Sequence, residues 1–242
     1  MATYSLGFRS VEDELIDQEL PVEGTVPDWL SGSLIRNGPG RFEVGEDSVA
    51  HWFDGLAMLT RFDFDAGTVR YSNRFLRSDE YAGVMGSGAI VGSQFGTNRS
   101  GLLGAIRDLV IPKQTDNANV NVMRIGDRFV AITETQVGVE FDPQTLETVG
   151  QYRFPDLDGQ MMTAHPHLDP LTGETVTMTT EFGRRNYYRF YRRPRNGDRF
   201  LSIGAIEADR PAYVHSFGLT VRFIVLVTGG GTPDEDRLAA KR

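Results

Sequence analysis

Short runs of alternating apolar and polar residues recur along the chain, each closed by a cluster of Gly, Asp, Asn or Pro. In "DRFVAITE", Phe129, Ala131 and Thr133 fall on one face and Val130, Ile132 and Glu134 on the other, the period of a strand. "GLAMLTRFDFDAGTVRYSNRF" predicts strand, "DAGT" turn, strand, and "VGVEFDPQTLETVGQYRF" repeats the arrangement around "DPQT". "GETVTMTTEF", "YYRFYRR" and "RFLSIGAIE" follow, with "RPRNGD" as a further turn and "TVRFIVLV" as the last strand. Long helical patterns are absent. One short candidate, "SGLLGAIRDLVIPK" at 100–113, gathers Leu102, Leu103, Ile106, Leu109 and Val110 near one helical face. The fold class this predicts is all-β.

The strands group into units. With starts at His51, Asn119, His165 and His215, four units follow one another, the first interval lengthened by the Gly-rich segment 82–115. Later intervals of about 40 to 50 residues with several strands per unit are the mark of a β-propeller, with a β-sandwich as the competing architecture. In a propeller the innermost strand of each blade lines a central channel, so residues one blade apart can face one axis.

Composition narrows the rest. With 242 residues and an even composition, one domain is the expectation. No stretch nears the roughly 18 apolar residues of a membrane span. The acidic N-terminus, "MATYSLGFRSVEDELIDQEL", lacks the apolar run of a signal peptide, which predicts a cytoplasmic protein. A net charge of −8 argues against nucleic acid. "RRNYYRFYRRPRNGDR" at 184–199 interleaves Arg with aromatics as a single-strand binder does, but a hairpin with a basic outer face is the simpler reading, since Arg supplies nearly all the basic residues throughout. The chain has no cysteine, which leaves imidazole and carboxylate as the strong metal ligands.

Histidine is scarce, with four in the chain. His165 and His167 flank Pro166, and His215 follows one unit later. His165 and His215, each opening an inner strand, would meet at one ion. Pro166 stiffens the backbone between His165 and His167, so His167 is expected to serve another partner. On spacing alone, a hydrogen-bonded core histidine remains the simpler reading of each.

Five phrases in order, "GSLIRNGPGRFE", "HWFDGLAMLTRF", "TDNANVNV", "TAHPHLDP" and "AYVHSFGLT", resemble the carotenoid cleavage oxygenase family from about Leu20 to Val227. That family includes apocarotenoid oxygenases, stilbene-cleaving dioxygenases and a retinoid isomerase. The resemblance implies a seven-bladed propeller, incomplete here with roughly four blades, and a ferrous ion (Fe2+) held on its axis by four histidines. His165 and His215 match two of these ligands, and Glu134 of "AITET" matches a carboxylate that orients an imidazole from behind. His51 of "HWFDG" matches no ligand and is expected to be structural.

The implied activity is that of a carotenoid dioxygenase, oxidative cleavage of a conjugated C=C bond in a carotenoid or apocarotenoid by O2 to give carbonyl products. A catalytically inactive fragment or apocarotenoid-binding module is the first alternative, and isomerohydrolysis of a retinyl ester the second. Family members are about twice as long, and their other two ligands follow the "HSFGLT" motif. Residues 1–242 are therefore expected to form one partial propeller domain, with "TGGGTPDEDRLAAKR" (228–242) as a frameshifted or disordered tail and a partner polypeptide able to complete the site. The family's apolar membrane-docking patch matches 100–113, which makes peripheral membrane contact the expectation there, against a surface helix packed on the body.

Overall fold

Ala66 and Gly67 both take positive φ, 43° and 85°, at the centre of the "DAGT" turn. Two successive positive-φ residues match the right-handed twist of the flanking strands, so this turn closes a tight hairpin. Glycine adopts that conformation freely, whereas Ala66 gives up roughly 1–2 kcal/mol to do so.

The computed structural model of the chain describes residues 3–90 and 114–228. The helical candidate at 100–113, with its expected membrane contact, lies outside the described residues, as does the tail from residue 229 onward. Contacts divide the chain into two compact units. One comprises the described residues of Met1–Thr133 with Val137–Arg153, and the other Glu134–Gln136 with those of Phe154–Arg242.

The first unit opens with β1 (Gln18–Glu19) and β2 (Gly32–Arg41), then a small hairpin of β3 (Glu43–Val44) and β4 (Asp47–Ser48). A 3-10 turn at Trp52–Asp54 leads into β5 (Leu56–Asp65) and β6 (Thr68–Phe75), followed by the helix α1 (Asp79–Ser87). The first antiparallel sheet has the order β1-β6-β5-β2. The second is built from β7 (Asn121–Ile125), β8 (Arg128–Ile132), β9 (Val137–Phe141) and β10 (Thr148–Arg153) in the order β10-β9-β8-β7. Leu59, Leu76, Ala131, Val139, Phe141 and Leu146 form a common core. In β8, Val130, Ala131 and Ile132 are all buried, so this central strand is covered on both faces, unlike the one-sided burial that alternation alone suggests.

Two corrections to the pattern reading arise here. The first unit does not begin at His51, because β2 pairs with β5 from Gly32↔Phe64 to Arg41↔Leu56. Its Asn37-Gly38-Pro39-Gly40 run looks like a turn, yet long-range pairing holds it extended. The helix α1 was not anticipated either. Its apolar pattern is weak, although Ser78 caps it by accepting from the Tyr81 N–H at 3.1 Å, and Gly88 ends it at φ 67°.

Asparagines tie three of the five phrases together within this unit. Asn117 accepts from the Ala57 N–H (2.8 Å) and donates to the Gly55 carbonyl (3.0 Å). Asn119 donates to the carbonyls of Phe53 (2.7 Å) and Gly55 (2.8 Å). Asn37 donates to those of Ala118 and Asn121. These amides replace water for main-chain groups that would otherwise be buried unpaired, at about 1–3 kcal/mol each. His51 belongs to the same scaffold: its Nδ1 accepts from the Phe53 N–H at 3.2 Å and its ring packs edge-on against Phe53.

The second unit holds one larger sheet. β11 (Met161–Met162), β13 (Thr175–Glu181), β14 (Tyr187–Arg193) and β15 (Leu201–Glu207) follow in that order, and β12 (His167–Leu168) also pairs with β13. Burial grades across it. β13 is covered on both faces, and β15 is exposed along its whole length. After His215 the described chain forms only the two-residue pair β16 (Gly218–Leu219) and β17 (Ile224–Val225), shorter than the strand expected of "TVRFIVLV". Val176, Met178, Tyr188, Phe190 and Phe217 make the core here, with Leu219, Ile224 and Leu226 packed against it.

Four of the seven arginines of 184–199 pair with carboxylates: Arg189 with Glu181 (2.6 Å), Arg192 with Glu174 (2.5 Å), Arg185 with Glu207 (3.8 Å) and Arg199 with Asp156. Among the described residues no helix is long and apolar enough to cross a membrane.

Candidate metal centre

Glu134 follows the end of β8 and lies in the second unit, where its carbonyl accepts from the Met162 N–H at 3.2 Å. Gln136, two residues on, donates to the Gly159 carbonyl at 2.7 Å. Gly159 takes φ 103°, and a side chain there would meet the Thr180 carbonyl oxygen at 2.8 Å, so only glycine fits. This backbone seating delivers the Glu134 side chain beside the segment that carries Tyr213 and His215. Both of those side chains reach the same carboxylate.

The Nδ1 of His215 lies 2.7 Å from Glu134 Oε1. A carboxylate accepts, so Nδ1 carries the proton and the Nε2 lone pair points the other way. It points at His165, whose Nε2 is 2.8 Å from His215 Nε2, with the rings 4.4 Å apart and inclined at 66°. The Tyr213 hydroxyl donates to Glu134, 2.6 Å from Oε1 and 2.8 Å from Oε2, and also lies 3.0 Å from His215 Nδ1. Burial, then the hydrogen bond to Glu134, pushes the Tyr213 phenol well above its ordinary range, so it remains a donor. Sequence reasoning did not single out Tyr213. The alternation in "YVH" was the available signal.

His165 and His215 thus come together, with Glu134 behind His215. His167 is engaged elsewhere. Its Nε2 donates to the Phe217 carbonyl at 2.7 Å, and its ring packs against Phe217 with centroids 4.7 Å apart.

Two imidazole nitrogens facing each other at this distance share either a proton or a cation. Ring nitrogens bound at about 2.0–2.1 Å and at right angles around one ion stand about 2.9 Å apart, which the observed pair fits. The carboxylate behind one ring is the usual companion of a ligating imidazole. Among the described residues no group of three or more His, Asp or Glu side chains converges on one point, so the donor set in hand is this pair.

Burial holds His165 below the ordinary imidazole value of 6.5, and repulsion from His215 adds to that, while Glu134 opposes it. The sign follows from linkage. A folded-state value below the unfolded one leaves stability intact above about 6.5 and erodes it as pH falls through the folded value. His165 is accordingly expected to titrate below 6.5 in an NMR titration of the metal-free chain. Replacing His165 by Ala removes its share of the acid-side loss of stability.

A family model described as retinal pigment epithelial membrane protein matches residues 8–229. The chain belongs to that family, the carotenoid cleavage oxygenases. It is 34% identical to the β,β-carotene 15,15′-dioxygenase of Mus musculus, over 90% of this chain and 43% of that protein. It is 36% identical to the mitochondrial carotenoid-cleaving dioxygenase of Pongo abelii, over 85% of this chain and 41% of that one. Cobalt-substituted Synechocystis apocarotenoid oxygenase superposes with a TM-score of 0.78 at 28% identity, covering 91% of this chain and 48% of the other. The chain therefore spans less than half the length of the relatives it matches.

Proposed function

We propose that this member of the carotenoid cleavage oxygenases contributes His165 and His215 to a non-haem iron(II) centre. That centre would use O2 to cleave a conjugated C=C bond in a carotenoid or apocarotenoid to two carbonyl products. The observation that carries the reading is the 2.8 Å approach of two Nε2 atoms, with Glu134 fixing the tautomer of one of them. An all-imidazole donor pair suits a borderline divalent ion such as iron. When bound, ferrous iron supplies the redox chemistry that O2-dependent cleavage needs.

The chain's own residues perform four tasks in this reading. His165 and His215 present neutral nitrogen donors. Glu134 keeps the His215 proton on Nδ1 and balances charge near the ion. Tyr213 donates to Glu134 and holds that carboxylate in place. Glu134 and Tyr213 line a cavity of about 80 Å³ together with Met161, Met162, Met178 and Thr163.

In the same reading the sheets are blades of the family's seven-bladed propeller, roughly four of them here, and residues 1–242 belong to one propeller domain. Each described sheet of four or five antiparallel strands has the size of such a blade. Substrate and dioxygen are the partners, and segment 100–113 is the part proposed to touch a membrane.

Iron analysis and product analysis test the proposal together. The purified chain, loaded with Fe2+ under argon and then given O2 with β-carotene or an apocarotenal, is expected to carry iron and release aldehyde. Well under one iron per chain, with no aldehyde formed, removes the catalytic assignment.

A further inference from the structure

Thr163 sits two residues before His165, is 4% exposed, and has its backbone N–H donated to the Met178 carbonyl at 2.9 Å. Its main chain is therefore held from β13, independently of either histidine. The hydroxyl oxygen accepts from the His165 N–H at 3.1 Å, and the hydroxyl proton goes to the His215 carbonyl at 2.7 Å. One hydroxyl thus joins the main chains of both histidines across fifty-odd residues of sequence. His167 makes a second tie of the same kind on the other side, to the Phe217 carbonyl. Residues 163, 165 and 167 face 215 and 217, and the imidazole pair lies between two side-chain-to-main-chain bonds.

We propose that Thr163 is a positioning residue whose hydroxyl sets the separation of the His165 and His215 imidazoles. This deepens the metal-centre reading and rests on it. A threonine is well suited to the task. Its hydroxyl donates once and accepts at the same time, so it can link an N–H to a carbonyl, which a carboxylate or an ammonium cannot do. Its branched Cβ restricts χ1, so the bridge has little freedom to swing away. Without it, an N–H and a carbonyl next to the ligand rings are left to seek other partners, and the two segments lose their common register.

Thr163→Ser and Thr163→Ala test this, because both lack the methyl group and differ only in the hydroxyl. The 242-residue chain is titrated with Co2+, whose visible bands report ligand geometry as well as occupancy. The Ser variant is expected to bind within about twofold of the parent with an unchanged spectrum. The Ala variant should bind about 10-fold more weakly, with shifted bands at saturation, in the range found for groups behind metal ligands. A residue that merely supported the fold would leave the saturated spectrum unmoved.

In the metal-free chain, the NOE between the His165 and His215 rings is expected in the parent and in Ser, and to be weakened in Ala. Equal affinity, spectrum and ring NOE in Ala and Ser overturn the proposal. So does failure of Ala and of the isosteric Thr163→Val to fold while Ser folds, since the hydroxyl would then hold the fold and not the spacing. A parent chain that ignores Co2+, or binds it equally after His165→Ala, sinks the metal-centre reading. The ring NOE decides the positioning role in that case too.

Discussion

Alanine at either His165 or His215 is expected to abolish metal binding by the chain, with no Co2+ or Fe2+ retained after desalting. The two Nε2 atoms 2.8 Å apart are the converging donors, so removing one leaves a single imidazole. The losses differ in kind. Without His165, His215 keeps its bond to Glu134 and an oriented lone pair with nothing opposite. Without His215, Glu134 is left with Tyr213 as its partner and His165 loses the ring it faces. His167→Ala is the informative control. That ring is occupied with the Phe217 carbonyl, so the variant should keep its metal and lose about 1–3 kcal/mol of stability, the cost of leaving that carbonyl without its partner. Metal analysis of the three variants beside the parent checks the set. Complete loss in His167→Ala would mean that the wrong histidine of the "HPH" phrase was chosen.

Glu134→Gln is expected to weaken metal affinity about 10- to 100-fold while leaving the fold in place. Both carboxylate oxygens are in use. Oε1 takes the His215 Nδ1 proton, and the Tyr213 hydroxyl lies within hydrogen-bonding distance of each oxygen. A glutamine has one accepting oxygen and one donating nitrogen. If the amide oxygen meets Nδ1, the tautomer survives but the charge-assisted part of the bond is gone. If the amide nitrogen meets Nδ1, the imidazole proton moves to Nε2 and blocks the lone pair. Both outcomes lower affinity, the second far more. Co2+ titration gives the affinity, and imidazole nitrogen shifts in the metal-free variant report which tautomer His215 adopts. An unaltered affinity would contradict the role given to Glu134.

Much of the fold can be read from neighbouring residues. The "DAGT" hairpin and its two flanking strands follow from turn chemistry and alternation, and the structure forms them at 56–65 and 68–75, pairing Asp65 with Thr68 across the turn. Reading fails where a segment's partner lies far away. Residues 32–41 contain Asn-Gly-Pro-Gly, a local turn signal, but pairing with β5 along the whole strand overrides it. The short α1 has no apolar stripe that a helical period could reveal, although Ser78 offers a cap. The interlocking asparagines 37, 117 and 119 are polar residues whose partners no local pattern indicates, yet Asn117 and Asn119 are buried as partners for main-chain groups.

What the sequence determined by itself is the chemistry on offer: short strands, no thiolate, few imidazoles, and five phrases in the order of one oxygenase family. What only the tertiary structure decided is which atoms meet. Glu134, Thr163, His165, Tyr213 and His215 all lie outside the strands, so alternation can suggest a face for some of them but no partner. Their distances depend on the seating of Met162 on Glu134 and of Thr163 on Met178, bonds that join residues far apart in the chain. Local propensity acts over a few residues and fixes each element. The convergence of two imidazoles is set by long-range register, which no single segment carries.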